Sequence, residues 1–175
     1  MKYLILLISI LFTAACASVP QKTDSIKVFP PSSIQSQNAA GQRILTDLPL
    51  SLENGMIMLG QNLILQFFER DENYLAIYLS VINPKTAKTD FYFDAPSRLN
   101  AAALNADGTW QLLRFIEYPD SRVLLSPMSL EPGQSKSGVL FLENKKAPQY
   151  KITLVNNDEV FEFTFDARQA ITINQ

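Results

Sequence analysis

The chain has 175 residues, 47% apolar and 18% charged, with 15 bases, 17 acids, one cysteine and no histidine. A net charge of −2 disfavours a nucleic-acid partner, and the missing imidazole removes Ser-His-Asp and Cys-His nucleophiles and His-ligated zinc. One thiol allows neither an intrachain disulfide nor a four-cysteine metal site, and the length suits one domain with a tail.

Met1-Lys2-Tyr3 places a positive charge ahead of Leu4–Phe12, a run in which only Ser9 is polar, and Thr13-Ala14-Ala15-Cys16 follows. A charged start, an apolar stretch and small residues form the layout of a signal peptide. The apolar run is about half the roughly 20 residues of a spanning helix, which argues against a permanent transmembrane anchor. Thr13-Ala14-Ala15-Cys16 resembles the lipobox of bacterial lipoproteins, with Thr13 where Leu is usual. The resemblance implies cleavage before Cys16, a thioether-linked diacylglycerol on that residue and an acylated amino terminus. Several acyl chains anchor stably where a single one is marginal. Ala17 and Ser18 follow the cysteine, instead of the Asp that retains such proteins in the inner membrane of enteric-type bacteria. For a Gram-negative cell, that points to the outer membrane, facing the periplasm.

Residues 17–42 are polar, with Pro20, Pro30, Pro31 and a Ser/Gln/Asn stretch, and no periodicity persists. They read as a tether with a root-mean-square reach of roughly 30 Å. The alternative reading makes Ile26-Lys27-Val28-Phe29 a strand of the domain. The expected division is therefore a signal peptide over 1–15, a lipidated cysteine and tether over 16–42, and a folded domain over 43–175.

From Arg43 onward, short apolar segments alternate with turns. Asn62–Phe68 and Asn73–Ile82 flank a charged turn, Glu69-Arg70-Asp71-Glu72. In the second segment Leu75, Ile77, Leu79 and Val81 share one face, and Asn83-Pro84 ends it. Thr89–Phe93, Arg98–Leu104 and Thr109–Phe115 follow, the last two joined by the turn Asn105-Ala106-Asp107-Gly108. After a short Arg122–Leu125 segment, Glu131-Pro132-Gly133-Gln134 turns into Lys136–Glu143, with Val139 and Phe141 on one face. Tyr150, Ile152 and Leu154 alternate with Lys151 and Thr153. In Glu159–Asp166, Phe161, Phe163 and Phe165 face one way. About eight strands and no long helix predict an all-β, antiparallel sandwich of about 7–9 strands.

Leu130-Glu131-Pro132-Gly133-Gln134-Ser135, then Gly138-Val139-Leu140-Phe141, then the strand pair from Tyr150 to Phe163 resemble the second half of Ig-like domains in exported bacterial lipoproteins. Leu75–Ile82 before Asn83-Pro84, and Asn105–Trp110, fit the first half of that layout. The resemblance implies an Ig-like β-sandwich and is nearly silent about activity, because such sandwiches host many functions.

No catalytic constellation stands out. Gly133-Gln134-Ser135-Lys136-Ser137-Gly138 misses the G-x-S-x-G spacing and lacks a histidine partner. Met56 and Met58 offer thioethers without a His or Cys to complete a copper site. Asp90 and Asp94, and Asp71-Glu72-Asn73, do not follow a calcium-loop spacing and read as solvated turn charges. A paired-carboxylate glycosidase is compatible with the composition, but no pair is nominated. The surface candidates are aromatic: Tyr92, set against Phe91 and Phe93, together with Trp110 and Tyr118, because exposed Tyr and Trp serve as binding anchors. The alternative is that Tyr92 and Trp110 cover the second face or an edge.

The expectation is a membrane-anchored envelope lipoprotein, lipidated on Cys16. It would be non-enzymatic, without metal or cofactor, and would bind another envelope protein or stabilise an assembly. A small-ligand or glycan binder using Tyr92 and Trp110 is the competing reading.

Overall fold

The computed structural model describes residues 25–38, 50–51, 53–59, 63–91, 98–116, 128–156 and 159–174. The signal-peptide and lipobox residues, Cys16 among them, lie outside the described residues, as do Tyr92, Asp94 and Tyr118.

In chain order the strands are β1 (Ser25–Val28), β2 (Pro31–Asn38), β3 (Leu50–Ser51), β4 (Met56–Leu59), β5 (Leu63–Glu69), β6 (Tyr74–Ile82), β7 (Thr89–Phe91), β8 (Leu99–Leu104), β9 (Trp110–Leu112), β10 (Phe115–Ile116), β11 (Met128–Leu130), β12 (Ser135–Glu143), β13 (Gln149–Asn156), β14 (Glu159–Asp166) and β15 (Ile171–Asn174). Two short 3-10 turns, Glu53–Gly55 and Ala167–Gln169, are the only helical elements among the described residues. An eight-stranded sheet runs β10-β12-β6-β5-β1-β15, with β4 beside β5 and β3 beside β4. A five-stranded sheet runs β2-β14-β13-β8-β9, and β7 and β11 form a separate ribbon. Every pairing is antiparallel. The fold is all-β and sandwich-like, as the alternating segments predict.

One buried cluster lies between the two large sheets. Leu75, Ile77, Leu79 and Val81 of β6 enter it from one side; Ile152 and Leu154 of β13 and Phe161, Phe163 and Phe165 of β14 enter from the other. The period of two in the sequence is the cause: alternate side chains of a strand point to opposite faces. In β12 the buried residues are Leu140 and Leu142, so Val139 and Phe141 share the outward face. Phe67 of β5 meets aromatics of the facing sheet and of the β1–β2 link, with ring centroids 4.9 Å from Phe165, 5.5 Å from Tyr150 and 5.2 Å from Phe29. Each such contact adds about 0.5–1.5 kcal/mol beyond area burial.

Two boundaries differ from the sequence expectation. Residues 25–38 are domain, not tether. β1 pairs with β15 and β5, β2 pairs with β14, and Phe29 between them is buried. The short polar strands earn their place through pairing, since β2 runs along β14 from Phe165 to Glu159. The second difference is the segment Thr109–Phe115, read as one strand. β9 pairs with β8 in the five-stranded sheet, the chain crosses at buried Leu113, and β10 pairs with β12 in the other sheet. A strand that changes sheets makes a corner of the sandwich.

Turns behave as their residues dictate. Gly133 sits at φ 73° after Pro132, and the Gln134 amide donates to the Glu131 carbonyl at 3.0 Å. Asn83 is fully buried, yet its Nδ2 donates to the carbonyls of Ala87 and Leu130 at 2.9 and 2.8 Å, and its Oδ1 accepts from the Lys85 amide. The side chain thus pins the loop after β6, and burial carries no unsatisfied-group penalty.

Candidate functional site

Of the aromatic candidates, Trp110 is the one within the described residues. It opens β9, the outermost strand of the five-stranded sheet. The β8–β9 turn sets it there. Gly108 takes φ 84°, and its amide donates to the Asn105 carbonyl at 3.1 Å. Asp107 Oδ1 accepts from the Thr109 amide at 2.9 Å and its hydroxyl at 2.6 Å. Those donors, the hydroxyl first, hold the Asp107 carboxyl below the usual carboxylate range. The turn is therefore a fixed hairpin that delivers Trp110 in register with Leu104.

Trp110 opposes Leu104 and Leu112 opposes Ala102, so both side chains lie on the outer face of the sheet. Lys151 Nζ stands 4.6 Å from the Trp110 ring centroid, and its ammonium also meets Glu162 Oε1 at 3.0 Å. The cation over the indole contributes about 0.5–1 kcal/mol at an exposed position. It holds one side of the ring and leaves Trp110 38% exposed. Leu112 is 65% exposed. Four large apolar side chains are exposed among the described residues, the other two being Ile82 and Ile171; only Trp110 and Leu112 share a strand and a face.

The register also sets the backbone. The Leu113 amide donates to the Ala101 carbonyl, and the Asn105 amide to the Thr109 carbonyl, both at 2.8 Å. Hydrogen-bonded pairs alternate along an antiparallel ladder, so Gln111 with Ala103 is the next such pair. Trp110 and Leu112 occupy the intervening positions, and their own N–H and C=O groups point away from β8. Among the described residues no strand pairs with that outer edge. The two residues with exposed apolar side chains thus also offer the free backbone donors and acceptors. Sequence reasoning reached Trp110 and missed Leu112, although the i, i+2 spacing on a short strand carried the signal.

The remaining sequence candidates have structural duties. Asp90 accepts from the Ser129 hydroxyl across the β7–β11 ribbon, and Asp71 Oδ1 accepts from the amides of Asn73 and Tyr74 in the β5–β6 turn. Met56 and Met58 are half-buried on β4, whose Ile57 and Leu59 enter the core. Among the described residues no three His, Cys, Asp or Glu side chains gather as a metal site. No helix among them is long and apolar enough to cross a membrane.

At one end of the sandwich, a second feature escaped the sequence reading. A cleft of about 430 Å³ is lined by residues that include Phe29, Glu72, Lys146 and Tyr150. Tyr150 is the second residue of β13, just after the chain passes from one sheet to the other. Its hydroxyl donates to Asn144 Oδ1 at 2.9 Å and accepts from the Ala147 amide at 3.0 Å. Burial raises the phenol's pKa, so it stays neutral.

Compared with known proteins, the chain matches no protein-family model, no curated protein and no solved structure.

Proposed function

We propose that this chain is an envelope lipoprotein, anchored through lipid on Cys16, whose Ig-like β domain binds an extended segment of another envelope protein by strand addition at β9. The observation that carries the docking reading is the coincidence at Trp110 and Leu112 of exposed apolar side chains and outward-facing backbone groups. Strand addition uses main-chain hydrogen bonds for affinity and alternate side chains for specificity. β9 reads Trp-Gln-Leu and carries no charge, so it fits an uncharged strand with alternate apolar residues. The module is non-enzymatic, without metal or cofactor, and the anchor places it on the outer membrane facing the periplasm.

The Ig-like reading is supported by two details. The Tyr150 hydroxyl bonded to backbone three residues upstream is a feature of Ig-like sandwiches, and the strand switch at Leu113 makes a sandwich corner. Nine residues separate Cys16 from Ser25, when Cys16 itself is counted. At full extension they place the first strand within about 30 Å of the lipid.

Two experiments test the two halves. A Cys16→Ser chain loses palmitate labelling and membrane fractionation; retention of both would remove the anchor. For docking, a photo-crosslinking residue at Gln111 should give a discrete adduct in intact cells, and one at Gln37 on β2 should not. Leu112→Pro deletes an outward N–H while sparing the ladder to β8, so it should abolish the adduct and keep the fold; Leu112→Val should retain both. An adduct that survives Leu112→Pro, or no adduct at all, overturns strand addition. The Trp110 ring, exposed on one side, favours the glycan reading instead if oligosaccharides raise the melting temperature and Trp110→Ala removes that shift.

A further inference from the structure

The cleft beneath the β12–β13 corner is built by three crossings between sheets. Phe29 lies between β1 and β2, Asn144, Lys146 and Ala147 between β12 and β13, and Ala167 between β14 and β15. The Ala167 amide donates to the Pro148 carbonyl at 2.9 Å, locking two of these corners together. The β5–β6 turn closes the cleft, because the Asn144 amide donates to the Asn73 carbonyl at 2.8 Å.

One polar group, the Asn144 side chain, is preorganised. Asn144 Oδ1 accepts from the Tyr150 hydroxyl and from the Lys146 amide, each at 2.9 Å. Both lone pairs are used, which fixes the amide and leaves Nδ2 as a donor with no partner among the described residues. Lys146 is held at φ 51°, and its ammonium has no partner among them either. The same is true of the Glu72 carboxylate, whereas Lys27 and Glu69 pair with each other at 3.3 Å. The rim therefore carries two cations and two anions, with one of each sign unpaired among the described residues. Phe29, Ala147 and Tyr150 supply an apolar floor. The volume falls in the range of about 300–1,000 Å³ typical of small-molecule sites.

We infer that this cleft is a binding site for a small zwitterion with an apolar body: a free α-amino acid or a short peptide. Its carboxylate meets Lys146 and Asn144 Nδ2, its ammonium meets Glu72, and its side chain lies on the floor. Balanced rim charge favours a ligand bearing both signs over a simple anion or cation. The site is separate from the β9 edge and stands or falls independently of strand addition.

The test is calorimetric titration of the full chain with L-alanyl-L-leucine, its N-acetyl form and its C-terminal amide. Saturable binding of the free dipeptide is expected, weakened about tenfold or more when either end is blocked. Lys146→Gln and Glu72→Gln should each weaken it about fivefold or more, and Leu112→Pro should leave it unchanged. NMR on the unaltered chain should show the amides of Ala147 and Ala167 shifting on titration. Absence of saturable binding, equal affinity for the blocked forms, or amide shifts confined to other regions would overturn the proposal.

Discussion

The two edges of the five-stranded sheet are chemically opposite. β2 spans eight residues, Pro-Ser-Ser-Ile-Gln-Ser-Gln-Asn, and opens with a proline. β9 spans three, Trp-Gln-Leu, with all three exposed. Proline and polar side chains blunt an edge against further pairing; a short apolar strand does so only by its length. β2 also has an inward anchor. Ile34 opposes Phe163 and packs on the core, and the Ser32 hydroxyl donates to the Thr164 carbonyl at 3.0 Å, beside the irregular register at Thr164/Phe165. β9 sends both its apolar side chains outward. The contrast teaches that one edge is finished as structure, whereas the other retains exposed apolar surface, which the proposed strand addition would bury.

The largest test concerns the core under both edges. Phe163 is fully buried between the sheets, and Phe163→Ala should cost about 3–5 kcal/mol in a denaturant melt. An unchanged midpoint would remove the common scaffold and the comparison with it. A smaller pair of effects separates the edges directly. Ile34→Ala on β2 should cost about 1–2 kcal/mol, below the fully buried range because its side chain is half-buried. Leu112→Ala on β9 should stay within about 0.5 kcal/mol of the unaltered chain. Equal losses at the two sites would make β9 a structural edge like β2.

The smallest effect is the response to acid. Asp166 ends β14 near the start of β2, and its carboxylate accepts from Arg168 Nε and the Arg168 amide, both at 2.9 Å. These bonds hold its pKa down to about 2, below the unfolded value. Its contribution is therefore complete above the ordinary carboxylate range and is lost as pH falls from about 4 towards about 2. Asp107, beside β9, is lowered by the Thr109 hydroxyl in the same direction. Urea melts across pH 5 to 2.5 should show Asp166→Asn flattening the acid slope more than Asp107→Asn. The reverse order would place the stronger acid-sensitive anchor at β9.

What the sequence discloses follows the strength of its periodicity. β6, β13 and β14 place large apolar residues at alternate positions, and these are the buried ones, with Ala76 and Asp166 as added buried positions. β2 carries one large apolar residue, Ile34, so nothing local distinguishes it from a linker; it is a strand because β14 lies beside it. Leu113 reads as a mid-strand residue, and only the positions of β8 and β12 make it a crossing point. The candidate edge was half legible. Trp110 announces itself by size, but outward backbone groups depend on the register with β8. The cleft was illegible for a different reason. Phe29, Glu72, Lys146 and Ala167 are far apart in sequence and meet only because three inter-sheet crossings and the β5–β6 turn share one end of the sandwich.

The position of the first described strand, which begins at Ser25, bears on how tightly β9 would need to bind in the proposed strand addition. Three residues of edge strand provide few main-chain bonds, so strand addition there would have a low intrinsic affinity. With lipid on Cys16, as proposed, nine residues would separate the anchor from β1 instead of some 26. A partner fixed to the same bilayer then meets the domain within a thin layer, where short linkers set effective concentrations on the order of millimolar. Under the proposed anchoring and strand addition, encounters would become two-dimensional, and an interaction too weak to persist between soluble molecules would stay occupied at the membrane surface. Lengthening the segment before Ser25 would dilute that layer without touching a single contact.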